Sequence, residues 1–251
     1  MKFTLCPRRI AQVLSLIVLC LTLASIAGQF SKNYFGQPYV LKLARVFDLN
    51  EEANIPTWYS SSTLLLCSML LAVITSGKKR DGDRFVFHWG ALSLIFLYIS
   101  LDETALIHER ASNLLGREFG TSGFLYYAWI IPATLNMLIF VLAYFRFLLD
   151  LPAKTGRLFL FAGSLFVGGA LGMEPFEGLH AEVYGEETKT FAMMTHIEEV
   201  LEMTGIIIFV YALTSYMISP AKEVIVFINW TEVAHGESGS ETHFNETENY
   251  C

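Results

Sequence analysis

Carboxylates and histidines recur at the ends of three apolar stretches of this chain. One reads Asp102-Glu103-Thr104-Ala105-Leu106-Ile107-His108-Glu109, another Glu174-Pro175-Phe176-Glu177-Gly178-Leu179-His180, and a third His196-Ile197-Glu198-Glu199-Val200-Leu201-Glu202. Acids and imidazoles hold divalent cations or pass protons. An ionisable group inside an apolar stretch is costly enough to mark function. Glu177 and His180 are spaced i, i+3, as are His196 and Glu199, so each pair shares a helical face. The order is Glu then His in one stretch and His then Glu in the other, as antiparallel neighbours require if they are to match level for level. Asp102 and Glu109 are spaced i, i+7 and also share a face. Helix bundles that bind two metals use the same grammar, with Glu-x-x-His on some helices and lone carboxylates on others.

The candidate ligands are therefore Asp102, Glu109, Glu174, Glu177, His180, His196, Glu199 and Glu202, with Glu103 and His108 beside them. Carboxylates packed at one depth repel one another, and without a cation some must keep their protons. One or two divalent ions offset that repulsion. Oxygen ligands with a few imidazoles suit iron, manganese or zinc. A proton relay or salt-bridge network without metal is the alternative reading. Near a membrane surface such side chains can also be ordinary solvated charges, and Glu198, on the face away from His196, reads as one of these.

The elements that must position these groups are membrane helices. The 251 residues are 53% hydrophobic and 16% charged, against about 25% charged in soluble domains, and the mean hydropathy is +0.46. A net charge of −7 argues against nucleic acid as a partner. Cys6, Cys20, Cys67 and Cys251 form no CxxC pair, which argues against a disulfide framework or a thiolate zinc site. A span needs roughly 20 apolar residues. The pattern predicts an all-α bundle of about six transmembrane helices in residues 1–218, over 10–28, 58–77, 85–109, 124–148, 157–177 and 195–218. The first run reads as a retained anchor; cleavage near Ser25-Ile26-Ala27-Gly28 is the alternative and leaves the others unchanged.

Counted at roughly 1.5 Å per residue from the opposite ends, Asp102, Glu174 and Glu202 all lie about 24 Å up. Glu177 and Glu199 lie about 28 Å up, and His108, His180 and His196 about 33 Å. Lys78, Lys79, Arg80, Arg84, Arg146, Lys154 and Arg157 gather on one side. That side is expected to be cytoplasmic, with both termini inside and the acidic level facing outward. Pro132 and Asn136 read as a kink or cavity lining, and Gly168-x-x-x-Gly172 as a close helix approach. Residues 219–251 read as an acidic cytoplasmic tail with a short β-like run at Val224–Ile228. The glycosylation-like Asn229-Trp230-Thr231 and Asn245-Glu246-Thr247 carry no meaning on that side of the membrane.

The stretches from Ser100-Leu101-Asp102-Glu103 to His108-Glu109, Tyr126-Tyr127-Ala128-Trp129-Ile130-Ile131-Pro132 and Glu198-Glu199-Val200-Leu201-Glu202-Met203-Thr204-Gly205 resemble a family of uncharacterised bacterial multi-pass membrane proteins, sometimes labelled multidrug transporters. Residues 47–58, beginning Phe47-Asp48-Leu49-Asn50-Glu51-Glu52, fit the same family. The resemblance covers the chain to about Met217 and implies a helical membrane bundle in the cell inner membrane; it supplies no activity. Glu177-x-x-His180 is similar to one half of a ferritin-like di-iron site, but the reversed His196-x-x-Glu199 departs from the other half. Ser100, Asp102, His108, His180 and His196 match the residue inventory of membrane zinc hydrolases related to alkaline ceramidases, without their paired histidines on a last helix or their seventh span.

The expected function is a metal-dependent membrane enzyme, an oxidase, hydroxylase or hydrolase, acting on a lipid-soluble substrate. The alternatives are a proton- or cation-coupled transporter and a non-catalytic membrane partner subunit. Transport would need a polar path to the far side, whereas Leu92-Ser93-Leu94-Ile95-Phe96-Leu97 and Ile206-Ile207-Ile208-Phe209-Val210 are almost purely apolar.

Overall fold

The computed structural model describes residues 6–34 and 44–218. The expected tail, its β-like run, its two glycosylation-like sites and Cys251 lie outside the described residues. Helices α1 (Pro7–Tyr34), α2 (Ile55–Arg80), α3 (Val86–Ala105), α4 (Ile107–Phe119), α5 (Ile130–Asp150), α6 (Ala153–Ala170), α7 (Glu174–Tyr184) and α8 (Lys189–Ile218) follow in order, with a 3-10 turn at Gly123–Leu125. No strand occurs among the described residues. Five stretches are long and apolar enough to cross a membrane: Pro7–Ser31, Ile55–Arg80, Ile130–Asp150, Ala153–Tyr184 and Lys189–Ile218. The bent pair α3 and α4 makes a sixth if counted as one span. These apolar helices are those of a multi-pass membrane protein.

Local chemistry sets the boundaries. Asn54 caps α2, its Oδ1 accepting from the Thr57 amide at 3.2 Å, and Pro56 sits in the first turn, where no amide hydrogen is needed. Lys78, Lys79 and Arg80 close α2, where cations favour the helix dipole. Leu106 stops α3 by adopting the left-handed conformation (φ 55°), its amide bonding to Asp102 O at 2.8 Å. The chain then restarts as α4, bent 74° from α3. The expected span 85–109 is therefore broken, and 157–177 is interrupted at 171–173 before α7 begins. Residues 124–129 were expected to start a span; instead Gly120 and Gly123, at φ 59° and 63°, hold them in a tight turn. Pro132 consequently falls in the first turn of α5, where it need not kink the helix.

Packing is tightest at the end carrying Lys78–Arg84, called here the basic end. Trp89 stacks on Tyr216 (ring centroids 5.2 Å) and meets Phe147 edge-on at 4.9 Å, and Phe96 stacks on Phe209 at 4.7 Å. α2 and α3 are laced by reciprocal serine bonds. Ser68 Oγ donates to Ser93 O and Ser93 Oγ to Ser68 O, each at 2.8 Å, and Ser61 and Ser100 repeat the exchange at 2.7 and 2.8 Å. Heptad spacing places both pairs on one seam. α1 is tied to α8 and to the following loop: Val18 and Leu21 pack with Tyr59, Met203 and Ile207, and Gln29 Nε2 donates to both Asp48 oxygens at 2.9 and 2.8 Å.

α8 is the central helix, and small residues let α6 approach it. A Cβ on Gly205 would stand 2.8 Å from Ala162 O and 2.9 Å from Phe166 N; one on Gly169 would stand 2.9 Å from Glu198 O. The close approach thus uses Gly169 and Gly205 rather than the anticipated Gly168-x-x-x-Gly172 pair: Gly168 faces open space, and the atoms nearest a Cβ on Gly172 belong to the Gly168 backbone. Gly205→Ala should push α6 from α8 and destabilise the protein by about 1–3 kcal/mol. Gly163→Ala, with nothing within 4 Å of its new Cβ in mid-helix, should stabilise slightly, by about 0.5–1 kcal/mol. Thermal unfolding of the two variants in detergent tests the contrast.

Candidate functional site

At the end opposite the basic one, two helix breaks fall together. α4 begins after Leu106 and α7 after Met173, and both place acids in their first turns: Glu109 in α4, Glu174 and Glu177 in α7. Unpaired amides and the helix dipole favour negative charge there. α3 contributes Asp102 and Glu103, and α8 contributes Glu198, Glu199 and Glu202. Glu52 arrives from the loop before α2, which is pinned by Asn54: its Nδ2 donates to Asp48 O at 2.6 Å and Glu51 O at 2.7 Å.

Asp102 organises the histidine. Its Oδ1 accepts the His108 backbone amide at 2.8 Å and its Oδ2 lies 3.0 Å from His108 Nδ1. With Nδ1–H donating to Asp102, Nε2 is the nitrogen left to bind a cation or take a proton. The Trp129 ring lies 5.1 Å from the His108 ring, and Trp129 Nε1 donates to Glu174 Oε1 at 2.6 Å. Glu174 Oε2 is buried with no hydrogen-bond partner. Glu177 is 4% exposed, and Thr195 Oγ1 donates to its Oε2 at 3.2 Å.

The remaining acids complete a connected group. Glu198 meets the Glu177 carboxyl in a hydrogen bond. Glu199 lies within electrostatic reach of Glu103, Glu52, Glu177 and His108, and Glu202 within reach of Glu199, Glu103, Glu174 and Glu177. Glu202 Cγ packs where Gly169 leaves room, at 2.7 Å from a hypothetical Cβ. None of these carboxylates forms an ion pair with lysine or arginine among the described residues. Two carboxyls in a hydrogen bond must share a proton, and several in one low-dielectric region cannot all be ionised. The region is therefore held by protons or by cations. Among the described residues no three His, Cys, Asp or Glu side chains stand as a preformed metal-ligand set.

The structure brings together Asp102, Glu103, His108, Glu109, Glu174, Glu177, Glu199 and Glu202, but turns away the two histidines expected to complete the motif. His180 Nε2 is hydrogen-bonded to Thr188 Oγ1 at 2.7 Å, and its ring packs on Tyr184 at 5.0 Å. His196 faces α1: Nδ1 meets Ala192 O, and Nε2 lies 2.8 Å from Ser25 Oγ, which also accepts the Leu49 amide at 2.9 Å. Both are bonded within the fold, so the i, i+3 pairing does not deliver both members to one site. Glu198, read as a solvated charge, instead joins Glu177, and its i, i+4 spacing to Glu202 was the available signal. Glu52 had no signal beyond lying in an outer loop.

A family model described as Domain of unknown function (DUF8692) matches residues 13–216. The chain belongs to this family. No curated protein matches the chain, and no solved structure does. The DUF8692 match spans every member of the acidic group and ends before the tail, so the whole site lies within the family's domain.

Glu52 lies outside the spans on an exposed loop, and its carboxyl is pushed up from 4.5 to about 8 by local desolvation, then by the charge and hydrogen bond of Glu109, with His108 opposing. A raised carboxyl value means the folded state holds a proton that the unfolded state has lost. The stabilisation is complete below pH 4.5 and falls as pH rises to about 8. Glu52→Gln, which cannot lose a proton, should flatten that decline between pH 5 and 8. Melting temperature against pH for both proteins measures it.

Proposed function

We propose that this acidic cluster binds one or two divalent cations and that the protein is a metal-dependent membrane enzyme acting on a lipid-soluble substrate. The observation that carries the reading is Glu174, beside the buried Glu177, with a buried carboxylate oxygen, Oε2, that has no hydrogen-bond partner. A buried, unbonded carboxylate oxygen is costly, and a cation relieves it. Asp102 orienting His108, so that Nε2 is left free, is the arrangement usual behind a metal-ligating imidazole. The donors would be Glu174, Glu177, Glu199, Glu202 and His108, with Glu103 and Glu198 beside them. With His180 and His196 engaged elsewhere, this oxygen-rich set suits iron or manganese, and zinc remains in the class. Iron would support oxidation with oxygen as co-substrate; zinc would acidify a bound water for hydrolysis.

The basic residues at the opposite end support a cytoplasmic assignment for that end and both termini. The cluster would then face the periplasmic side of a bacterial inner membrane, the setting of the family the sequence resembles. Stacking of Trp89, Phe96, Phe147, Phe209 and Tyr216 fills the basic half with aromatic rings, which supports chemistry at one face over transport through the bundle. One observation favours a second reading, a proton-coupled carrier. Glu52 with Glu109 and Glu177 with Glu198 meet carboxyl to carboxyl, as proton-holding pairs do.

Metal analysis of the purified full chain decides between them. Iron, manganese or zinc at about one or two equivalents is expected, falling to background in the Glu177→Gln, Glu199→Gln double variant without loss of the folded peak in gel filtration. Metal-free wild-type protein that acidifies liposomes along a proton gradient would replace the enzyme reading with the carrier.

A further inference from the structure

A feature beyond the cluster points to a ligand of its own. α4 leaves the end of α3 at 74° after a single residue, Leu106. α3 is laced along α2 in the bundle, so a 74° bend lays α4 across the end of the bundle; with α3 near the membrane normal, α4 lies near the membrane plane. Ile107, Arg110, Leu114 and Arg117 stand at i, i+3, i+7 and i+10 and so form one stripe along it. All are exposed, Leu114 at 65%, whereas Ser112 turns inward and is buried. Phe119 at the end of the helix is exposed too, as are Phe124 and Phe176, whose rings meet edge-on at 5.6 Å. Neither arginine forms an ion pair with a carboxylate among the described residues.

We propose that α4 is an interfacial helix whose Arg110 and Arg117 bind the phosphate of a membrane phospholipid, with Ile107 and Leu114 against its acyl chains. A free anion would not call for apolar side chains between the two cations. A soluble partner protein would have to reach a stripe held at the lipid surface by the spanning helix beside it. A phospholipid satisfies both halves. Long arginine stems lie along the apolar region while the guanidinium reaches the headgroup level, and its planar fork matches two phosphate oxygens at once. Arg110 follows Glu109, which meets Glu52 in the acidic cluster, so the phosphate sits at the rim of that cluster. If the cluster is a reactive centre, its substrate class is a phosphate-bearing lipid; that step alone rests on the enzyme reading, and the binding site does not.

The test uses the full chain, delipidated in detergent, with native mass spectrometry as readout. Dioleoyl-phosphatidylglycerol, dioleoylglycerol and inorganic phosphate are titrated separately. Wild-type protein is expected to retain phosphatidylglycerol and to bind neither of the others comparably. The Arg110→Gln, Arg117→Gln double variant should weaken phosphatidylglycerol binding about tenfold to thirtyfold, the loss of two basic residues at a lipid surface. The Arg→Lys double variant should recover part of it. Arg117→Gln alone, in the exposed last turn, gives about a fivefold loss if the double variant does not fold. Equal retention of dioleoylglycerol, displacement by inorganic phosphate, or unchanged binding in the Arg→Gln variants would overturn the proposal. Metal content measured on the same samples reports on the cluster separately, so either idea can fail without the other.

Discussion

Carboxyl groups crowded together are the constraint around which this protein is built. Acids from a loop and four helices meet at one end of an apolar bundle with no lysine or arginine paired to them among the described residues. The fold tolerates this partly by breaking two helices at that level. The left-handed Leu106 and the interruption before Glu174 create two helix N-termini, and Glu109, Glu174 and Glu177 occupy their first turns. A continuous helix would offer these carboxylates neither free amides nor a favourable dipole end.

The other half of the bundle supplies the rigidity such a site needs. Aromatic stacking around Trp89, reciprocal serine bonds between α2 and α3, and glycines that bring α6 onto α8 leave few ways for the helices to slide. α1 and the loop after it close one side. Ser25 bonds His196 and the Leu49 amide, and Gln29 clamps Asp48, so the loop that carries Glu52 is held from two directions. Residues far from the acids thereby set where Glu52 meets Glu109.

Much of the candidate site was legible in the chain. Counting residues puts Asp102, Glu174 and Glu202 on one level and Glu177 and Glu199 roughly 4 Å farther out, and Glu174, Glu177, Glu199 and Glu202 lie within electrostatic reach of one another. The counting works because rise per residue is nearly constant in a helix. His180 and His196 were drawn in by i, i+3 spacing, but that spacing leaves a wide angle between side chains. A short polar neighbour, Thr188 for one and Ser25 for the other, captured each ring. Glu198 was misread for the converse reason: the reference face was taken from His196, whose own direction is set by α1.

Hydropathy and residue order alone determined that the chain is an all-helical membrane bundle, roughly where its spans lie, and that acids collect at one of its ends. Those are properties of position along a helix axis, and apolar length and helical rise carry them. Tertiary structure decided which side chains face one another, where α3 and α6 give way to new helices, and which imidazole joins the acids. Those depend on rotation about each axis and on backbone conformation at single residues such as Leu106, and neighbouring helices, not local sequence, supply that energy.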